Sequence, residues 1–312
     1  MTLPPLRDVP REVARLAALR VQAGDNVREQ HVVSRSLLQK FADGHRQLHA
    51  MSVSDRTAKV IRRGPRGLGK IPNFVPQASL SAEQLWGETE RQIPALLHQC
   101  DTDAILGDPE ATAAIRDLIA LHYVRNRSLR RAHQHAYGSS REAAKRALQG
   151  QPEYVEDFQR RFGRPPRGNE DLEFFFEMVL ARSWDTDFRD GLLLRFSVER
   201  LFMVCREWMS ERPIQIVHPK SGEFLIGDAP VITLGAQGQI GVALGDAEQI
   251  FMPLTPRSLL AFGPSAVGQV PEASVNQLNA FQVRAAHEFV FVRPGSGLEQ
   301  FVRDTRFGPA IA

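Results

Sequence analysis

The chain has 312 residues, 43% of them hydrophobic, enough for one large domain or two smaller ones around a sizeable core. No apolar run approaches the roughly 18 residues needed to span a bilayer, and the first residues carry no apolar signal region, so a cytoplasmic protein without membrane partners is expected. The formal charge is only +3, and the two cysteines, Cys100 and Cys205, sit in apolar helical contexts as small hydrophobes, which excludes a cysteine metal site.

Residues 10–23 read as a helix with Val13, Leu16, Ala17 and Val21 on one face and Gly24 ending it. The stretch from Glu29 to Asp43 reads as a polar entry followed by a short amphipathic helix. Ser34 is a candidate N-cap, because its hydroxyl can accept from a first-turn amide. Leu37, Leu38 and Phe41 fall at helical spacing and predict a buried stripe. Residues 47–53 and 58–61 predict a β-hairpin around Ser54-Asp55-Arg56. Gly64-x4-Gly69-Lys70 then nearly spells a P-loop. Ile71-Pro72 follows instead of the required Ser or Thr and helix, so a basic loop is the better expectation.

Residues 81–97 predict a helix capped by Ser81, with Gln84 as its capping-box partner and Pro94 as a kink. Residues 109–137 predict the longest helix, apolar through Val124 and basic from Arg125 onward. Arg125 stands nearest the apolar half and is expected to be buried, with either an internal carboxylate or a bound phosphate as its partner. A charged helix follows within 140–168. Residues 170–183 and 187–209 predict two more, with Phe174, Phe175, Met178 and Val179 buried in the first and Leu194, Val198, Leu201, Phe202 and Cys205 in the second. From Pro213 the period becomes alternating. Residues 214–217 and 223–226 predict a hairpin, residues 231–234, 249–252 and 258–262 continue the sheet, 272–287 close it with a helix, and 289–292 add a strand.

Several segments in order resemble an uncharacterised bacterial family, the domain of unknown function 4238. They are Gln30-His31-Val32-Val33, Leu38-x-x-Phe41-Ala42-Asp43, the apolar run ending His122-x-x-Arg125, Phe224-Leu225-Ile226-Gly227-Asp228-Ala229-Pro230-Val231, Pro253-Leu254-Thr255-Pro256 and the Asn276 to Ala286 helix. Ser34 stands where that family commonly has Pro, and His122 where it has Gln. The family carries no settled activity, so the resemblance constrains fold more than function.

Three boundaries draw attention as chemistry. His31 precedes a helix start, and an imidazole there suits a general base or a metal ligand. Arg125 marks the change of helix character. Asp228 sits in a Gly-Asp-Ala-Pro turn at a strand end, where it either faces a site or satisfies turn amides. Gln30, Glu90 and Asn276 are weaker members of the same candidate set. A divalent metal held by His31 and Asp228 is considered. An HNH-nuclease reading of residues 31–36 lacks its later Asn and His.

The expected fold is α+β: a mostly helical region, 1–212, with an early β-hairpin, packed on a mixed, largely antiparallel sheet with one closing helix, 213–312, as one compact unit. The functional expectation is hydrolysis of phosphoesters, most plausibly in nucleic acid, with His31, Arg125 and Asp228 in one site. The alternative is a non-catalytic module that binds an anion or a partner in the same pocket.

Overall fold

A computed structural model describes residues 29–75, 79–149, 151–180, 192–263 and 266–309. The expected helix at 10–23 lies outside them. The first described element is β1 (Glu29–His31), paired antiparallel with β4 (Lys70–Pro72) so that His31 opposes Lys70. Lys70 therefore enters a strand and no helix begins there, which agrees with the rejection of a P-loop.

Between these strands lie α1 (Arg35–Lys40), β2 (Leu48–Ser52) and β3 (Ile61–Arg63). Leu37, Leu38 and Phe41 are fully buried, as the helical spacing predicts. Ser34 occupies the N-cap position of α1 but makes no side-chain cap. Its hydroxyl donates instead to the Glu90 carboxylate (2.7 Å), a charge-assisted hydrogen bond. β2 and β3 form the expected antiparallel hairpin, with the second strand beginning at Ile61.

α2 (Ser79–Asp101) runs through Pro94 without interruption in its helical assignment. The side chains of Ser81 and Gln84 lie outside the described set. α3 (Pro109–Val124) is capped by Asp108, whose carboxylate accepts from the amides of Glu110 and Ala111 (both 3.0 Å), with Pro109 pre-set for the first turn. α3 packs against α2. The long helix expected over 109–137 is in fact two, since α4 (Arg127–Gln149) begins anew. Asn126 explains the break: its Oδ1 accepts from the Leu129 amide (2.8 Å) while its Nδ2 donates to the Tyr123 carbonyl (2.7 Å). One side chain thus starts the second helix and helps to end the first.

α4, α5 (Pro152–Phe162) and α6 (Asn169–Leu180) enclose a separate small core of Tyr154, Phe158, Leu172, Phe175 and Phe176. Phe174, expected inside, is 59% exposed. In a run of three phenylalanines the helix phase selects Phe175 and Phe176. α7 (Leu192–Ser210) returns to the main core on α3, with Leu194, Val198, Phe202 and Cys205 buried as expected and Leu201 packed beside them.

The remaining strands are β5 (Ile214–Pro219), β6 (Ile226–Gly227), β7 (Ile232–Leu234), β8 (Gln249–Thr255), β9 (Ser258–Phe262), β10 (Ala266–Val270) and β11 (Phe289–Val292). One sheet has the order β10-β5-β9-β8-β7, parallel at β10–β5 and otherwise antiparallel. A second has the order β3-β2-β11-β6, all antiparallel.

The expected hairpin between residues 214–217 and 223–226 does not form. Both edges of β5 are taken by β9 and β10, and β6 pairs with β11 in the other sheet. Side chains of α8 (Glu272–Ala285) hold the chain across that transfer. Asn279 accepts from the Leu225 amide (3.0 Å) and donates to the Glu223 carbonyl (2.8 Å), and Gln282 accepts from the Gly227 amide (3.0 Å) and donates to the Pro230 carbonyl (2.8 Å). These bonds satisfy backbone groups that a neighbouring strand would otherwise have to satisfy. β11 likewise leaves the C-terminal sheet to join the early hairpin, and α9 (Leu298–Phe307) covers it, with Met51, Val53, Val283, Val290 and Val302 between. The fold is α+β, and among the described residues no helix is long and apolar enough to cross a membrane.

Candidate functional site

Two neighbouring features meet at β1: a buried polar cluster around Arg125 and an open cleft. In the cluster, the Arg125 side chain is 1% exposed. Its Nη1 donates to Glu90 Oε1 (2.6 Å), and its guanidinium lies over the Trp86 ring at 4.3 Å. Glu90 Oε1 also accepts from Ser34. The Ser34 amide donates to His122 Nε2 (3.1 Å), and His122 Nδ1 donates to the Leu118 carbonyl (2.9 Å). That pattern fixes the neutral tautomer with its proton on Nδ1. Burial pushes His122 down to about 4. His31 also falls to about 4, first through burial and then through the Lys70 cation, against the pull of Glu90. Both imidazoles are neutral at neutral pH. Burial works to raise the Glu90 carboxyl, but Arg125 and the Ser34 hydroxyl outweigh it and hold it below its ordinary value. His31 Nε2, Arg125 Nε and Arg125 Nη2 are buried and have no hydrogen-bond partner among the described residues.

The cleft lies on the face of the four-stranded sheet, with Val32, just after β1, in its lining. Its registers place Arg63 opposite Leu48, Ile61 opposite Ala50, and Ala50 opposite Phe291. Alternation along the strands then puts Ile61, Arg63, Phe289 and Phe291 on one face. These four line the cleft with Val32, Leu68, Ile71, Lys70, Arg127 and Asp228, around a cavity of about 200 Å³. Gly69, also in the lining, has φ +66°, and a Cβ there would come within 2.9 Å of Leu38 Cδ1, so only glycine lets this turn sit on the core and carry Lys70 to the rim.

The expected residues divide as follows. His31, Glu90 and Arg125 share the buried cluster, and Glu90 is the internal carboxylate that a buried arginine requires. Asp228 lines the cleft, and its carboxylate accepts from the amides of His287 (2.7 Å), Glu288 (2.9 Å) and Phe289 (3.3 Å). The amides it satisfies thus lie 59 to 61 residues away, at the entry of β11, and not in its own turn. Its effect is to set the entry of β11 and aim Glu288, whose carboxylate receives both terminal nitrogens of Arg127 (2.5 and 2.6 Å). Gln30 is buried and reciprocally bonded to the Val75 backbone, as an extra rung beside β1. Asn276 is exposed on α8, while Asn279, one turn later, is the buried amide. Among the described residues no group of three His, Cys, Asp or Glu side chains is placed to hold a metal ion, so His31 and Asp228 lack the further donors that a metal would need.

The profile of the family described as "Protein of unknown function (DUF4238)" matches residues 29–296. The chain belongs to this family. The matched span opens on β1 and closes just after β11, so the DUF4238 region contains every residue of both the cluster and the cleft. No curated protein and no solved structure matches the chain.

Sequence reasoning did not single out Ser34 as a core bridge, nor Trp86, Arg127, Asn279 and Gln282. Arg127 had a usable signal, since it follows Asn126, a strong helix N-cap residue type, directly after the apolar run. Trp86 offered less, because cation–π stacking depends on two helices meeting.

Proposed function

We propose that this protein binds a small phosphate-bearing ligand in the cleft between the Arg63–Ile71 segment and the Asp228 turn, as a cytoplasmic anion-binding module. The observation that carries this is a pair of rim cations, Arg63 and Lys70, beside an apolar floor. Arg63 makes no ion pair among the described residues, Lys70 pairs only with the well-exposed Glu29 (2.6 Å), and Arg127 stands behind them. An exposed pair such as Lys70–Glu29 contributes little and is readily exchanged for a ligand oxygen. The buried Arg125 cluster supports the β1 end of the cleft in this reading and does not itself receive the ligand, because its free nitrogens are closed to solvent.

The test is inorganic phosphate added to the purified protein during thermal unfolding. Phosphate is expected to raise the midpoint, and Arg63→Gln with Lys70→Gln to remove most of that gain. An equal gain in both proteins would overturn the reading.

A second reading, hydrolysis of a phosphoester such as a nucleic-acid strand, is favoured by one observation: His31 remains a neutral imidazole beside Glu90 and opposite Lys70. Its test is turnover of p-nitrophenyl phosphate and of single-stranded nucleic acid. Activity that survives His31→Ala would exclude His31 as the base.

A further inference from the structure

The cleft carries more information than its charge. Its floor is a sheet face, and alternation brings two aromatic rings, Phe289 and Phe291, onto it side by side with Ile61. Phe291 is buried beneath, and Phe289 is only half-buried, so one ring remains presented to the cleft. Val32, Leu68 and Ile71 form an apolar wall opposite. The cations stand to one side of this surface: Arg63 at the end of β3, Lys70 at the start of β4, and Arg127 at the start of α4. A bare phosphate would leave Ile61 and the half-buried Phe289 in water. A purely apolar ligand would leave the exposed Arg63 guanidinium to water alone. The arrangement suits one molecule with a flat apolar part and an anionic part at its edge.

We propose that the cleft is a mononucleotide site, with a planar base stacked on Phe289 between the sheet face and the Leu68–Ile71 wall, and the phosphate held at Arg63 and Lys70. This rests on the anion-binding reading above and adds the base. The contact partners are the general ones for such a ligand: aromatic stacking, which accepts any base because every base has a π-face, and charge-assisted bonds to phosphate, bidentate where arginine supplies them. The Gly64–Lys70 segment takes part here without P-loop geometry. Gly67, Gly69 and Lys70 line the cleft, and the phosphate is met by side chains and not by a helix N-terminus.

The experiment is calorimetric titration of the full-length protein with adenosine monophosphate, adenosine and inorganic phosphate in turn. Adenosine monophosphate is expected to bind at least tenfold more tightly than either fragment. Arg63→Gln with Lys70→Gln should weaken adenosine monophosphate at least tenfold and leave adenosine unchanged. Phe289→Leu, which keeps an apolar side chain in β11, should bring adenosine monophosphate close to the affinity of phosphate alone. Equal affinity of the wild-type protein for phosphate and adenosine monophosphate would overturn the base site and leave the anion reading standing. Absence of binding by all three ligands would overturn both. A Phe289→Leu protein that binds adenosine monophosphate as the wild type does would also overturn the stacking proposal.

Discussion

The pair Arg125–Glu90 should show an asymmetric cost when it is cut from either end. The arginine side chain is 1% exposed and the glutamate side chain 30% exposed. Glu90→Ala removes the countercharge from a sealed guanidinium and also leaves the Ser34 hydroxyl without its acceptor. Removing one partner of a buried pair costs about 3–5 kcal/mol, because the remaining charge stays in a poorly solvated place. Arg125→Met leaves the charge on Glu90, which reaches water and still accepts from Ser34, while methionine keeps much of the contact with Trp86. The loss is then one charged hydrogen bond and the cation–π contact, about 1–3 kcal/mol. In the double variant neither charge is left unpaired, so its cost should lie well below the sum of the two. Urea unfolding of the four proteins at neutral pH measures all three differences. An Arg125→Met cost equal to or larger than that of Glu90→Ala would refute the claim that desolvation of the arginine dominates this cluster.

Phe41→Ala should cost about 3–5 kcal/mol, as full burial of a large aromatic implies; His31→Ala should cost clearly less, and equal losses in denaturant would make His31 a core residue in the same sense as Phe41. Asp228→Asn turns into a donor one of the two oxygens that together accept from three amides, so it should cost about 1–3 kcal/mol and speed hydrogen exchange at residues 287–289; unchanged exchange there would contradict the role given to that carboxylate. The histidines should pull stability in opposite directions with pH. Burial alone would lower His218, but the Asp103 carboxylate on Nε2 (2.8 Å) and the Arg257 carbonyl on Nδ1 (2.7 Å) hold it above its ordinary 6.5. Its contribution is therefore full below about pH 6.5 and lost as pH rises through the raised folded value. His31 and His122, held at about 4, contribute fully above about pH 6.5 and lose that contribution as pH falls toward 4. A pH series of unfolding free energies in which His218→Gln leaves the alkaline limb unchanged would remove the first of these effects.

Local periodicity made much of the fold legible. Leu37, Leu38 and Phe41 needed only the 3.6-residue repeat, and the β2–β3 hairpin only two strands and a turn. What failed was pairing between distant segments. Residues 223–226 have the composition of a strand partner for β5, but the Leu225 amide and the next one free, at Gly227, go to Asn279 and Gln282 more than 50 positions away. Nothing in the local pattern distinguishes those two acceptors from a neighbouring strand. The helix break at Asn126 was legible in principle. The change from apolar to basic character at Arg125 looked like one helix leaving the core, when it marks the place where the chain stops one helix and caps the next.

The candidate site shows the same division between chemistry and address. A buried Arg125 demands a carboxylate, and that much follows from charge alone. Which carboxylate it finds depends on α2 and α3 packing so that Glu90 faces it, and the 35-residue separation hides this. The Asp228 carboxylate gathers the amides of residues 287–289 and thereby fixes where Glu288 and Phe289 point. Glu288 then anchors Arg127, and Phe289 supplies the presented ring of the cleft. A carboxylate used up by backbone amides is poorly suited to bind a metal or an incoming cation. It is well suited to hold the two side chains beside it in register, and under the mononucleotide reading proposed above Asp228 is a positioning residue for Phe289.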